Sequence, residues 1–183
     1  MRGAAWILVA LCLWPWGGAP RSTLPLEERL LGPGAGLLAS AAWVRFDALV
    51  RDGRYEAAYS VAERALELDP SSPQGWLYYA SHLGRFRASA ENEVDPAARR
   101  AWVRSALQVL ERGEARCDRP GELALSAGLI LLLVAQLEEE AQGLGWPGGA
   151  EAARLEAEQA LARAVVMGVD VLTAAEAASG HSH

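Results

Sequence analysis

Side chains that could do chemistry are few in this sequence and stand far apart. Its histidines are His82, His181 and His183, and its cysteines are Cys12 and Cys117. His82 has no Cys, His, Asp or Glu at helical spacing to complete a ligand set, so it reads as a packed or surface histidine. His181 and His183 lack the third ligand that a transition-metal site needs. Carboxylates cluster at Glu91, Glu93 and Asp95 and again from Glu138 to Glu140, without a histidine close in sequence, which is the pattern of a solvated face. The phosphate loop, the dinucleotide glycine fingerprint, the nucleophile elbow, the paired-histidine zinc helix and the acidic calcium loop are missing from the sequence. These side chains assign no catalytic residue, no metal ligand and no cofactor, and the chain is expected not to be an enzyme.

The remaining chemistry is that of arginine. All 17 cations are arginines against 23 acids, a net charge of −6, and this acidic balance excludes a nucleic-acid binder. Between Arg85 and Arg119 eight arginines alternate with six acids, a mixed face suited to ion pairing with a protein rather than to tracking phosphates. With 183 residues, 51% hydrophobic and 22% charged, the chain is long enough to bury the core of one domain. The absence of lysine, with two isoleucines and one asparagine, is a GC-rich codon bias that suggests a bacterium.

Met1 and Arg2 precede an apolar run, Ala4 to Trp14, followed by Pro15, Trp16, Gly17, Gly18 and Ala19, the layout of an export signal. Three readings of residues 1–19 stay open: a cleaved signal, a retained membrane anchor, or a segment packed on the domain. Gly17 and Ala19 suit a cleavage site, but Pro20 would follow the cut. As an anchor, the 15 residues from Gly3 to Gly17 reach about 22 Å as a helix, short of roughly 30 Å of hydrocarbon. Cys12 would need a small residue before it for lipidation, and has Leu11. Removal of the signal would leave Cys117 as the last thiol, an incidental one unless Arg116 and Arg119 lower its pKa. The expected location is a bacterial envelope or periplasm, with the chain exported or anchored.

Residues 20–38 read as a linker containing one short helical turn, residues 39–168 as a helical domain, and residues 169–183 as a C-terminal tail that begins as a last helical turn through Ala178 and frays from Ser179 to His183. From Ser40 to Gly168, Leu, Ala, Glu and Arg dominate, apolar residues recur three and four apart, and no strand run interrupts them. Breaks fall at Gly53, Asp69-Pro70, Asp95-Pro96, Arg119-Pro120-Gly121 and Gly145 to Gly149. They divide the helices into pairs, so the predicted fold is all-α, made of antiparallel helical hairpins.

The first pair has Trp43, then Gly53 and Tyr55 at its turn, then Ala58, Ala62 and Ala65, and closes on Leu66-Glu67-Leu68-Asp69-Pro70. It resembles a tetratricopeptide repeat. Glycine suits the turn, small alanines let two helices approach, and the proline stops one helix while permitting the next. Pro73, Trp76, Ala80 and Leu83 begin a second unit in phase. Ala98, Trp102 and Ser105 complete it only if about six residues near Ser89 to Pro96 are inserted. A third pair combines a helix from Glu122 to Gln142 with one carrying Ala157, Leu161 and Ala164. Phe46 stands where the family usually has a small residue, and the third pair lacks the closing proline.

The resemblance implies a short solenoid whose first helices line a groove for a protein or peptide segment. Placed in phase, the partner-binding residues would be Trp43, Asp47, Val50 and Arg51 of the first unit and Gln74, Leu77, Ser81 and Arg85 of the second. Arg51 and Arg85 would pair with carboxylates, and Trp43 and Leu77 would supply apolar contact. So short a solenoid invites completion by a partner or a second copy. The apolar stretch Leu123 to Leu137 is short for a membrane span and is followed by three glutamates, so it reads as a buried helix between neighbours.

The expected function is a non-enzymatic interaction adaptor or assembly factor of the cell envelope, tethered through its N-terminus. Two rivals remain. A structural subunit of a membrane complex would show an exposed apolar stripe on the Leu123 to Leu137 helix. A small envelope enzyme or ligand carrier would show buried polar residues clustered in a pocket.

Overall fold

The computed structural model describes residues 34–140 and 143–170. The expectations for a signal or anchor, for the linker up to residue 33 and for the tail from residue 171 lie outside the described residues. Among those described, six α-helices and no strand are found: α1 (Ala35–Arg51), α2 (Tyr55–Leu68), α3 (Pro73–Ser81), α4 (Pro96–Glu114), α5 (Pro120–Glu139) and α6 (Gly149–Val166). A π-helical turn, His82–Arg87, continues α3. The architecture is all-α and tetratricopeptide-like, with α1 against α2, α3 and its π turn against α4, and α5 against α6.

The first hairpin closes as its residues dictate. α1 ends at Arg51, Arg54 N–H donates to Leu49 O at 2.9 Å, Gly53 N–H donates to Val50 O at 3.0 Å, and Gly53 sits at φ +70. This is the paired cap that needs a left-handed residue after the helix, where a Cβ would be strained. α2 then lays Ala58, Ala62 and Ala65 fully buried against its neighbours. At the junction with the second unit the buried Trp76 donates its indole N–H to Pro70 O at 3.0 Å, so the proline that ends one repeat also satisfies the aromatic anchor of the next. α1 itself begins at Ala35, within the stretch expected to be linker, and brings Gly36 and Ala39 into the helical array.

The expected insertion in the second unit has a physical form. The helix runs on as a π turn to Arg87, and residues 88–95 make an excursion before α4. Asn92 Nδ2 donates to Phe86 O at 3.0 Å and to Ser89 Oγ at 2.9 Å, which folds the excursion back on the helix end. Buried Arg99 donates its Nε to Ala88 O at 2.8 Å. Asp95 caps α4, accepting from Ala97 N–H at 3.0 Å, with Pro96 opening the helix.

Arginines of the Arg85 to Arg119 run largely serve the fold. Arg100 Nη1 donates to Leu144 O at 2.9 Å and Gly145 O at 2.6 Å, pinning the loop between α5 and α6. Arg112 grips Glu63 of α2 through two hydrogen bonds, at 3.0 and 2.8 Å, and Arg119 pairs with Glu122 at 2.7 Å. The mixed-charge face expected to await a partner is therefore corrected, because most of these guanidinium groups already have carbonyl, carboxylate or ring partners within the chain.

α5 and α6 form the third pair at close range. A Cβ on Gly128 would stand 2.7 Å from Leu161 and 3.4 Å from the Ala157 carbonyl, while Ala153, Ala157, Ala160 and Ala164 of α6 are fully buried. Small residues on both partners allow this approach. The reading of α5 as a buried helix holds for one side. Among the described residues it is the helix long and apolar enough to cross a membrane, with half of its most apolar window buried. Leu129, Leu132 and Leu133 are exposed.

Candidate functional site

The first helices of the first two units meet through aromatic rings. Trp43 on α1 stands edge-on to Phe46 at 5.6 Å and to Tyr78 of α3 at 5.4 Å, and Phe46 meets Tyr78 at 5.8 Å. Beside them the Tyr78 hydroxyl donates to the Asp47 carboxylate. Partial burial first, and then the carboxylate that holds its proton, push the Tyr78 phenol up to about 12.

These contacts wall a cleft of about 500 Å³ lined by Gly36, Ala39, Ser40, Trp43, Val44, Asp47, Asp69, Ser72, Gln74, Gly75 and Tyr78. A Cβ on Gly75 would meet the Trp43 ring at 3.2 Å, so the glycine lets the indole lie against α3. Gln74 is exposed, with its Oε1 accepting from Ser72 Oγ at 2.7 Å. The cleft offers an apolar wall at Trp43 and Val44 and polar groups at Ser40, Asp47 and Gln74, a surface that can hold a short apolar side chain flanked by amide contacts.

Three of the eight residues expected to bind a partner, Trp43, Asp47 and Gln74, come together here. Val50 and Leu77 are half-buried and packed on the core. Arg51 is exposed and its Nε donates to Asp47 O at 3.3 Å. Ser81 is half-buried in the last turn of α3. Arg85 is exposed and lines a different cleft, of about 220 Å³, with Gly84, Ser89, Leu133, Leu137 and Leu144. Sequence reasoning missed Tyr78, one helical turn beyond Gln74 on the same face, and it missed Gly36 because α1 starts before the expected domain. The spacing from Gln74 was the available signal for Tyr78.

A second polar cluster lies between the units. The Arg87 guanidinium sits over the Tyr55 ring at 4.3 Å and the Trp102 ring at 5.0 Å. His82 stands edge-on to Phe46 at 5.1 Å and stacks on Phe86 at 5.2 Å, and its Nε2 is buried without a hydrogen-bond partner in the structure. Burial first, then the Arg87 charge, lower the imidazole pKa to about 4. Ring packing fills this region, and His82 lines neither cleft. Burial raises the Cys117 pKa, which agrees with the reading of an incidental thiol and speaks against its activation by nearby arginines.

A larger groove of about 840 Å³ runs between α4 and α6 over Ala127 and Leu131 of α5. Arg104 approaches the Trp146 ring at 5.7 Å, Trp146 Nε1 donates to Glu156 at 3.2 Å and Arg163 meets Glu114 at 3.6 Å, so its rim is internally paired.

Comparison of the chain with curated proteins and with solved structures gives no match. The tetratricopeptide repeat family model matches residues 39–82, the span from early α1 through α2 and α3 that builds the Trp43 and Tyr78 cleft. That segment, with its glycine turn, alanine packing positions and proline-anchored tryptophan, is similar to a tetratricopeptide repeat.

Proposed function

We propose that this protein is a non-enzymatic interaction module that captures a protein segment in the cleft between α1 and α3, and that its N-terminal apolar run exports it or tethers it at a bacterial envelope membrane. The observation that carries the reading is the cleft itself, where Trp43, Asp47, Gln74 and Tyr78 converge within the repeat-matching segment. Repeats of this type serve protein partners in general, and the apolar and amide-bonding character of the cleft agrees with a peptide ligand. The test is a pull-down from native membranes with the tagged full-length chain, a version starting at Arg21, and Val44→Glu, a change at a residue 69% exposed. A partner retained by both lengths and lost by Val44→Glu supports the reading. Undiminished capture by Val44→Glu removes the cleft, and a folded monomer with no partner moves the assignment to an enzyme or carrier.

A second reading is favoured by Leu129, Leu132 and Leu133, which give α5 an exposed apolar stripe. The protein would then be a structural subunit whose α5 meets another subunit. Detergent-resistant co-purification with a membrane complex, abolished by polar substitution of the stripe, is the corresponding test.

A further inference from the structure

The walls of the α1–α3 cleft carry charge of one sign. Asp47 and Asp69 line it, and no arginine or histidine does. Neither aspartate joins an ion pair among the described residues. Asp47 accepts from the Tyr78 hydroxyl through one of its oxygens, and Asp69 accepts from Ser71 Oγ at the long distance of 3.5 Å. The Tyr78 phenol keeps its proton up to about 12, so it adds a donor and no charge at neutral pH. Of the cations on α1, Arg51 is exposed and spends its Nε on the Asp47 carbonyl at 3.3 Å rather than on the carboxylate. By helical spacing Arg45 lies on the other side of α1 from Trp43 and Asp47. The cleft thus sets two carboxylates without cationic partners beside the half-buried Trp43 indole.

We infer that this cleft recognises an arginine or lysine side chain of its partner segment, the cation lying against Trp43 and meeting Asp47 and Asp69. The inference rests on the proposed capture of a protein segment in this cleft and names the chemistry of that segment. A guanidinium or ammonium group is attracted by an aromatic ring and forms its strongest hydrogen bonds with carboxylates. The chain uses the same combination internally, where Arg112 bonds Glu63 and stands 5.8 Å from the Trp76 ring. A segment that offered carboxylates to Arg51 would bring them against the two aspartates, and anionic lipid headgroups meet the same repulsion. The described residues hold no group of three His, Cys, Asp or Glu that would suit a metal ion instead.

The experiment pans a phage library of random peptides of about 12 residues against the immobilised full-length chain. The enriched peptides share an arginine or lysine at one position. A synthetic copy with glutamine there binds about tenfold more weakly, a copy with glutamate more weakly still, and the difference shrinks at high salt. These substitutions leave the protein unaltered, so no folding defect enters the comparison. Asp47→Asn, which keeps the oxygen that accepts from Tyr78, and Asp69→Asn each lower the affinity about tenfold. Val44→Glu and Val44→Arg place opposite charges at one exposed position of the lining. Both lose the apolar contact of the valine, and the fall is about tenfold greater in Val44→Arg. An unchanged melting curve certifies the fold of each variant. Failure to enrich any peptide overturns the inference, as do enriched peptides without a common cation or with unchanged affinity for both asparagine variants. Equal falls in Val44→Glu and Val44→Arg overturn it too, while leaving the cleft standing as an interaction site. No fall in either removes the cleft along with the inference.

Discussion

The Tyr78 hydroxyl on α3 donates to the Asp47 carboxylate on α1, and this bond, with the Trp43 ring beside it, joins the first helices of two successive units. Tyr78→Phe keeps the ring contacts and removes the bond, and is expected to cost about 1 kcal/mol at an exposed site, read as a lower urea midpoint. The folded state holds the Tyr78 proton up to about 12, whereas an unfolded tyrosine releases it near 10. Stability therefore declines as pH rises from about 10 to 12, and Tyr78→Phe removes this site's share of that decline, measured by denaturation across alkaline pH.

Gly113 and Gly36 predict opposite outcomes for the same change. Alanine normally improves a helical glycine by about 1 kcal/mol. At Gly113 a Cβ would stand 2.4 Å from Leu123 and 2.8 Å from the buried Trp76 ring, so overpacking wins and Gly113→Ala destabilises by about 1–3 kcal/mol. At Gly36 nothing lies within 4 Å, and Gly36→Ala stabilises by about 0.5 kcal/mol. Thermal melts of the two variants check the signs.

His82 makes the protein sensitive to mild acid. Its neutral form is held by burial among Phe46, Tyr59 and Phe86, with Arg87 opposing and Asp47 favouring its charge. The unfolded chain takes up a proton near 6.5 and the folded chain only near 4, so stability is lost as pH falls from about 6.5 to 4 and this site costs nothing more below. Allowing for partial solvent access, the loss is about 1–2 kcal/mol. His82→Phe flattens this part of the stability profile, measured by urea midpoints at several pH values.

Arg51 and Arg85 are exposed, and their joint replacement by alanine removes one exposed cation from α1 and one from the π turn. The double variant is expected to melt within about 0.5 kcal/mol of the parent, as surface changes do, and to bind a cationic partner segment more tightly, because Arg51 no longer opposes it beside Asp47. Calorimetric titration against the parent partner measures both effects, and unchanged affinity would remove these arginines from the binding surface.

Local chemistry made the hairpins legible in the sequence. Gly53, the alanines at 58, 62 and 65, Pro70 and Trp76 each act over a few residues, so the turn, the packing stripe, the stop and the anchor could be read from spacing, and the insertion after Leu83 was visible as a slip in phase. The all-α class followed from the same periodicity. Trp43, Asp47 and Gln74 were placed by register with the repeat, which is a local property of each helix. What the tertiary structure decided depends on distances between helices. It alone determined that Tyr78 closes the cleft on Asp47, and that Val50 and Leu77 pack on the core. It also tied Arg99 and Arg100 to carbonyls 11 and 44 residues away. The same is true of α5. Its composition is apolar nearly all round, and only the positions of α3, α4 and α6 select which leucines are covered and leave Leu129, Leu132 and Leu133 facing outward. Periodicity records which face of a helix is apolar, and the arrangement of neighbours determines how much of that face is buried.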